Sequence, residues 1–317
     1  KENETLDNED IRLIEVTYKN FIRNGANLEK ENKEKIRKID QRLSLLSPKF
    51  SNNVLNAQNK YELWIENEKD LEGLPSSSTG MAKESATQKG QPKKWLFTLQ
   101  YPSMGPFLNY AKNRELRKEL FLAYGGLCHN DEFNNNQIIK EIVQLKHKRA
   151  KLLGFDTFAD YVLNDRMAKN VTNVYELLDN LYNNCYDKAK EELNELKEYA
   201  KKLDGLEDFR QWDQSYYSTK LKKEKFNIDP EMLRPYFKAE NVINGIFKVA
   251  NKMYGIKFEE LNDVDTWHEE VKCYKVVNDD KSFVGLIYID LHPRPTKSSG
   301  AWMNSIKDNG LYKGSIR

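Results

Sequence analysis

Cysteine is scarce: Cys128, Cys185 and Cys273 are far apart and odd in number, and no CxxC pair occurs. Neither a disulfide framework nor a thiolate zinc site is indicated, and a reducing compartment is the expectation. That places the chain in the cytoplasm, with the periplasm as the alternative if a signal peptide has been removed, since Lys1 is not an initiator methionine. Histidine is equally sparse. His129, His147, His268 and His292 are the only four, and none stands in an HExxH string, which would set two imidazoles one helical turn apart on one face. His268-Glu269-Glu270 lacks the second histidine, and His147 lies among Lys146, Lys148 and Arg149 on a charged helix face. No GxGxxG, GxxxxGK[ST] or GxSxG string occurs, so dinucleotide, phosphate-loop and serine-hydrolase sites have no support. No apolar run of about 18 residues is present to span a bilayer. Charge of one sign is lacking too: 51 Lys and Arg face 49 Asp and Glu, which gives no electrostatic case for nucleic acid or an anionic membrane as partner. The abundant acidic pairs read as solvated helix faces. No catalytic residue and no metal ligand is assigned within the chain.

What is present is helical periodicity. Ile11, Ile14, Tyr18, Phe21 and Ile22 recur three and four apart, predicting an amphipathic helix from Asp10 to Asn24 that stops at Gly25. The pattern resumes from Leu28 to Asn56 and carries past Pro48, so the two helices are expected to pair as a hairpin. Tyr61 to Glu66 alternates like a short strand or an extended connector. Gly73 to Lys94 is the most polar, Ser/Gly/Pro-rich stretch and reads as a mobile loop, with a surface helix through Ala82 and Ala86 as the alternative. A turn is expected around Pro102 to Pro106. Helices follow over Asn113–Tyr124, Gln137–Leu153, Thr157–Met167 with Asp156 as cap, Val174–Lys202, Gln211–Phe226, a short one begun by Asp229-Pro230, and Asn241–Tyr254 closed by Gly255. At Val271 the period changes to two. Two alternating runs flank Asn278-Asp279-Asp280-Lys281 as a hairpin, and a third extended segment is expected from Gly300 to Ile306. The fold class is mainly α, with a helical lobe over residues 1–270 and the start of a small β-sheet over 271–317.

Several strings hold more particular residues than helix packing needs. They include Arg149 to Leu163 with Arg166 to Asn170, Trp212-Asp213-Gln-Ser-Tyr216-Tyr217, Arg234-Pro235-Tyr236-Phe237, Ala250 to Gly255, and Gly285 to Asp290 leading through Arg294 and Lys297 to Gly300-Ala301-Trp302-Met303. In order and in register, they resemble the peptidyl-dipeptidase (dipeptidyl carboxypeptidase) branch of the thimet-oligopeptidase-like zinc metallopeptidases over nearly the whole chain. The resemblance implies a multi-helix lobe of a monomeric enzyme that hydrolyses short unstructured peptides and releases C-terminal dipeptides. It also implies zinc as the cofactor of the full-length protein, on ligands that in the family come later than Arg317, so this segment alone is expected to be inactive and metal-free. One element carries over to these residues: the edge strand matching Gly300, Ala301, Trp302 and Met303 pairs its main chain with the substrate peptide. An open strand edge suits that role, because its N–H and C=O groups accept an added strand. The alternative from another class is a non-catalytic helical scaffold or peptide-binding module. Against it, the C-terminal strands lack enough neighbours for a stable sheet.

Overall fold

The computed structural model describes residues 6–307, 310–312 and 315–316. Helix α1 (Asn8–Arg23) opens on an Asp7 cap, whose carboxylate accepts the Asp10 N–H at 2.8 Å. α2 (Lys30–Lys60) runs through Pro48. Then come β1 (Leu63–Ile65), α3 (Ser76–Gln88), β2 (Trp95–Phe97) and α4 (Tyr101–Tyr110). The central helices are α5 (Arg114–Gly125), α6 (Asn136–Leu152), α7 (Phe158–Leu163), α8 (Val171–Asp204) and α9 (Gln211–Phe226). After α10 (Pro230–Leu233) and α11 (Ala239–Tyr254) the chain turns to β3 (Lys257–Leu261), β4 (Lys272–Val277), β5 (Phe283–Ile289), β6 (Leu311–Tyr312) and β7 (Ser315–Ile316). The architecture is mainly α, as the helical spacing predicts.

The chain divides into two compact units: residues 1–62 with 114–218, and residues 63–113 with 219–317. In the first, α2 buries Ile36, Ile39 and Leu46 and packs on α6, where Arg42 grips Glu141 in a two-bonded fork of 2.6 and 2.8 Å. Of the apolar stripe expected on α1, Ile11, Ile14, Tyr18 and Phe21 are exposed. A second core gathers Ala200 of α8 with Tyr216 and Tyr217 of α9. Beside it Asp213, fully buried, accepts Arg114 Nε at 2.9 Å, Arg114 Nη2 at 2.8 Å, Arg117 Nη2 at 3.1 Å and the Arg210 N–H at 3.0 Å. Helix α7 is shorter than expected and capped differently. Thr157 and Asp160 exchange bonds as a capping box, while the Asp156 carboxylate accepts Lys151 Nζ instead.

In the second unit, β1 and β2 pair antiparallel with Leu63 opposite Phe97. Residues 76–88 form α3, the helix through Ala82 and Ala86 that stood as the alternative to a mobile loop: Ser78, Ala82 and Ala86, four apart, are buried against β2 and α4. Small side chains bury a helix face without looking apolar in a hydropathy pattern, which is why polarity misleads here. The expected turn at Pro102 to Pro106 is the helix α4, with Pro102 in its first turn, where its missing N–H costs nothing. Gly73 is the position only glycine satisfies. Its φ is +92°, and a Cβ there would lie 2.3 Å from the Tyr110 carbonyl oxygen.

The three-stranded antiparallel sheet has the order β3-β4-β5. It starts at Lys257, earlier than the expected Val271, since β3 is mostly charged and is held by packing rather than by alternation: Phe258 stacks on Phe247 of α11 at 4.1 Å between ring centroids. Central β4 buries Cys273, Tyr274, Val276 and Val277 on both faces, whereas β5 leaves Phe283, Val284, Leu286 and Ile287 exposed. The β4–β5 hairpin forms as expected around residues 278–281, with the Asn278 N–H donating to the Ser282 carbonyl at 3.0 Å.

Candidate functional site

At the end of β5 the chain enters a loop organised on one carboxylate. Asp290 accepts Arg294 Nη1 at 2.9 Å and Nη2 at 2.5 Å, Lys297 Nζ at 3.0 Å and Trp267 Nε1 at 2.9 Å. Lys297 Nζ also donates to the carbonyls of Asp290 at 2.7 Å and His292 at 3.2 Å, stitching the loop to itself. The Arg294 fork above all, with Trp267 and Lys297 behind it, holds the Asp290 carboxyl well below the usual carboxylate range. All three charged side chains are more than four-fifths covered. Around this clamp Trp267, His268, Thr296, Ser298 and Trp302 line an open cavity of about 500 Å³. That volume lies within the range of small-ligand sites.

Of the residues expected to bind substrate, the structure brings Trp302 to the clamp, half-exposed, and sets Gly300 beside its ring at a φ of +117°, a conformation side chains other than glycine rarely adopt. Ala301 and Met303 are exposed and do not line the cavity. The third strand expected over Gly300 to Ile306 is not formed: residues 301–305 adopt neither helix nor strand. A strand exists only with a ladder partner, and β5 offers none to this segment. Sequence reasoning assigned no role to Trp267, Asp290, Arg294 or Lys297. The available signal was an acid at a strand end followed four and seven residues later by bases, a pattern too common to single out.

No group of three or more His, Cys, Asp or Glu side chains able to hold a metal ion exists among the described residues. His268 comes nearest to company, with Glu270 at 3.7 Å, but its Nδ1 accepts the Glu270 N–H and is therefore not a free ligand atom. The residues present do not fit the zinc that the resemblance implies.

The order of the distinctive strings, now seen as helices capped and cores built in sequence, matches a known family: a model described as "Peptidase family M3" covers residues 107–316. The chain belongs to peptidase family M3. It is 37% identical to oligopeptidase A of Haemophilus influenzae over 298 residues, which are 92% of this chain and 44% of that protein. Similarity to dipeptidyl carboxypeptidase of Escherichia coli is 30% identity over 97% of this chain and 46% of the other. Saccharolysin of Saccharomyces cerevisiae is 33% identical over 93% of this chain and 42% of its own. The chain thus spans less than half the length of the M3 relatives it matches.

A consequence of the clamp is testable without substrate. Asp290→Ala removes the acceptor of four donors, so the loop opens more often and trypsin cleavage at Lys297 should rise about tenfold, in the manner of local unfolding. Cleavage at the wild-type rate would show that the clamp does not hold the loop.

Proposed function

We propose that this chain supplies the peptide-guiding part of an M3 metallopeptidase acting on short unstructured peptides, with the hydrolytic centre outside the residues described. The observation that carries this reading is the Gly300 to Met303 segment: exposed, in no strand ladder among the described residues, and with Trp302 lining the cavity beside the Asp290 clamp within a chain of this family. A backbone without a ladder partner can take an extended peptide as its neighbouring strand. Release of C-terminal dipeptides is the finer form of the proposal. A second reading, internal cleavage, is favoured by the higher identity to proteins named oligopeptidase A than to those named dipeptidyl carboxypeptidase.

Zinc belongs to the complete enzyme in this proposal, and no catalytic step is assigned to the present residues. The monomeric state and the cytoplasmic location remain part of the same proposal, the latter supported by three free thiols at Cys128, Cys185 and Cys273. No helix among the described residues is long and apolar enough to cross a membrane.

The test uses the 317-residue chain with a quenched fluorogenic peptide. No turnover is expected with or without added Zn²⁺, while the uncleaved peptide should quench or shift tryptophan emission in the wild type and not in Trp302→Ala. Turnover by the chain alone would overturn the assignment, as would a peptide response that survives Trp302→Ala.

A further inference from the structure

A compact monomer of 37.3 kDa exposes about 14,000 Å², and two separate compact bodies of half that mass expose about 16,500 Å² together. This chain exposes 23,636 Å². Division into two units therefore does not account for the surface, which exceeds even the second figure by about 7,000 Å². Many large apolar side chains are among the exposed residues. On α8, Tyr175, Leu178 and Tyr182 are exposed at helical spacing, and on β5 Phe283 and Leu286 are exposed.

The sharpest case is α11, whose apolar arc covers nearly half of the helix and is satisfied on one side only. Phe247 packs on the sheet, at 4.1 Å from the ring of Phe258 and 4.9 Å from that of Tyr274. The other side carries Val242, Ile246, Val249 and Met253, spaced four, three and four apart and all exposed. With Tyr236 and Phe237 they form an open apolar groove of about 540 Å³. A helix apolar toward both its own sheet and solvent is a helix meant for burial on both sides.

Resting on the reading of the chain as part of an M3 peptidase, we infer that the Val242–Ile246–Val249–Met253 face of α11 is the docking surface for the remainder of an M3 polypeptide. The length relation identifies this occupant, since the relatives carry more than half of their residues outside the matched stretch. Interfaces of obligate partners run from about 2,000 to beyond 5,000 Å², the scale of the surplus here. A second copy fits less well. A two-fold contact pairs one patch with itself, whereas the uncovered apolar faces lie on α8 in one unit and on α11 and β5 in the other.

The experiment co-expresses the tagged 317-residue chain with the stretch of Haemophilus influenzae oligopeptidase A that follows its matched part. The wild type is expected to capture it one to one. Ile246→Asp with Val249→Asp should cut capture at least about tenfold, a loss that a buried charge readily produces, while Lys248→Ala on the polar side of the same helix should not. Both altered positions are exposed in the chain alone, so its circular dichroism and melting should not change. Three results would overturn the docking face: no capture by the wild type, equal capture by the Asp variant, or a wild-type dimer in light scattering that the Asp variant returns to monomer. Peptide hydrolysis by the captured complex separates the two readings. Capture that depends on the face without hydrolysis keeps the docking and rejects the peptidase; hydrolysis with face-independent capture does the reverse.

Discussion

Replacing Asp213 with alanine should destabilise the unit of residues 1–62 and 114–218 by about 3–5 kcal/mol, the cost of stripping a buried charge of its partner. The carboxylate is fully buried and Arg117 is 1% exposed, so the change breaks the Arg117–Asp213 ion pair in a place water does not reach. Arg117 also lies over the Tyr216 ring at 4.0 Å, and Tyr216 belongs to the core with Tyr217 and Ala200, so the loss spreads into packing. For a unit of this size the midpoint should fall on the order of 10 °C. Burial by itself would raise the Asp213 carboxyl, but the bonds from Arg114, the Arg210 N–H and Arg117 outweigh it and hold the group below its ordinary value. The sign follows from linkage. A carboxyl with a depressed folded-state value contributes fully above its unfolded value of about 4, and the contribution drains away as pH falls through the folded one. Urea melts at pH 7 and pH 3 check both statements. The gap between wild type and Asp213→Ala should be wide at pH 7 and narrower at pH 3; a gap under about 1 kcal/mol at pH 7 would mean that the buried pair is replaceable by packing.

Asp213 also shows what was legible in the sequence and what was not. The string from Trp212 to Tyr217 stands out from its residues alone, because a helix has no need of an acid flanked by so many aromatics, yet nothing in it says that the acid faces Arg114 and Arg117 nearly a hundred residues away. Helix α9 itself is legible to the residue, since its period and its bounds are local. Elements fixed by distant contacts are the ones left open or missed. α3 is buried through small polar and alanine positions, and β3 is held by one phenylalanine stacked on α11. The candidate site divides the same way. Trp302 is singled out by resemblance alone, while the clamp beside it needs Trp267, which is 23 residues before Asp290 and bonded to its carboxylate. The segment from Gly300 has strand-like composition but no ladder, and alternation alone does not supply a partner.

Phe107→Ala should cost the unit of residues 63–113 and 219–317 a comparable 3–5 kcal/mol, roughly the range for a large aromatic deleted from a core that collapses only in part. Phe107 and Phe97 are both fully buried and meet edge-on at 4.7 Å, an arrangement worth about 0.5–1.5 kcal/mol beyond the area it hides. Leu99 and Ala111 of the same unit are also buried. The effect should travel along named bonds. Tyr110, one turn further along α4, donates its hydroxyl to Asp229 Oδ1 at 3.1 Å, and Asp229 caps α10 by accepting the Glu231 N–H; Ser77 of α3 donates to Glu231. Burial pushes the Tyr110 hydroxyl up to about 12, so it keeps its proton and remains the donor throughout the neutral range. Loosening α4 therefore uncaps α10, the element that leads into α11 and its apolar groove. Hydrogen exchange should quicken over residues 76–110 and also over residues 229–236 in Phe107→Ala, and Phe107→Leu should recover most of the protection at both places. Faster exchange confined to α4, with residues 229–236 unchanged, would show that the Tyr110–Asp229 bond does not couple the core to the α11 face.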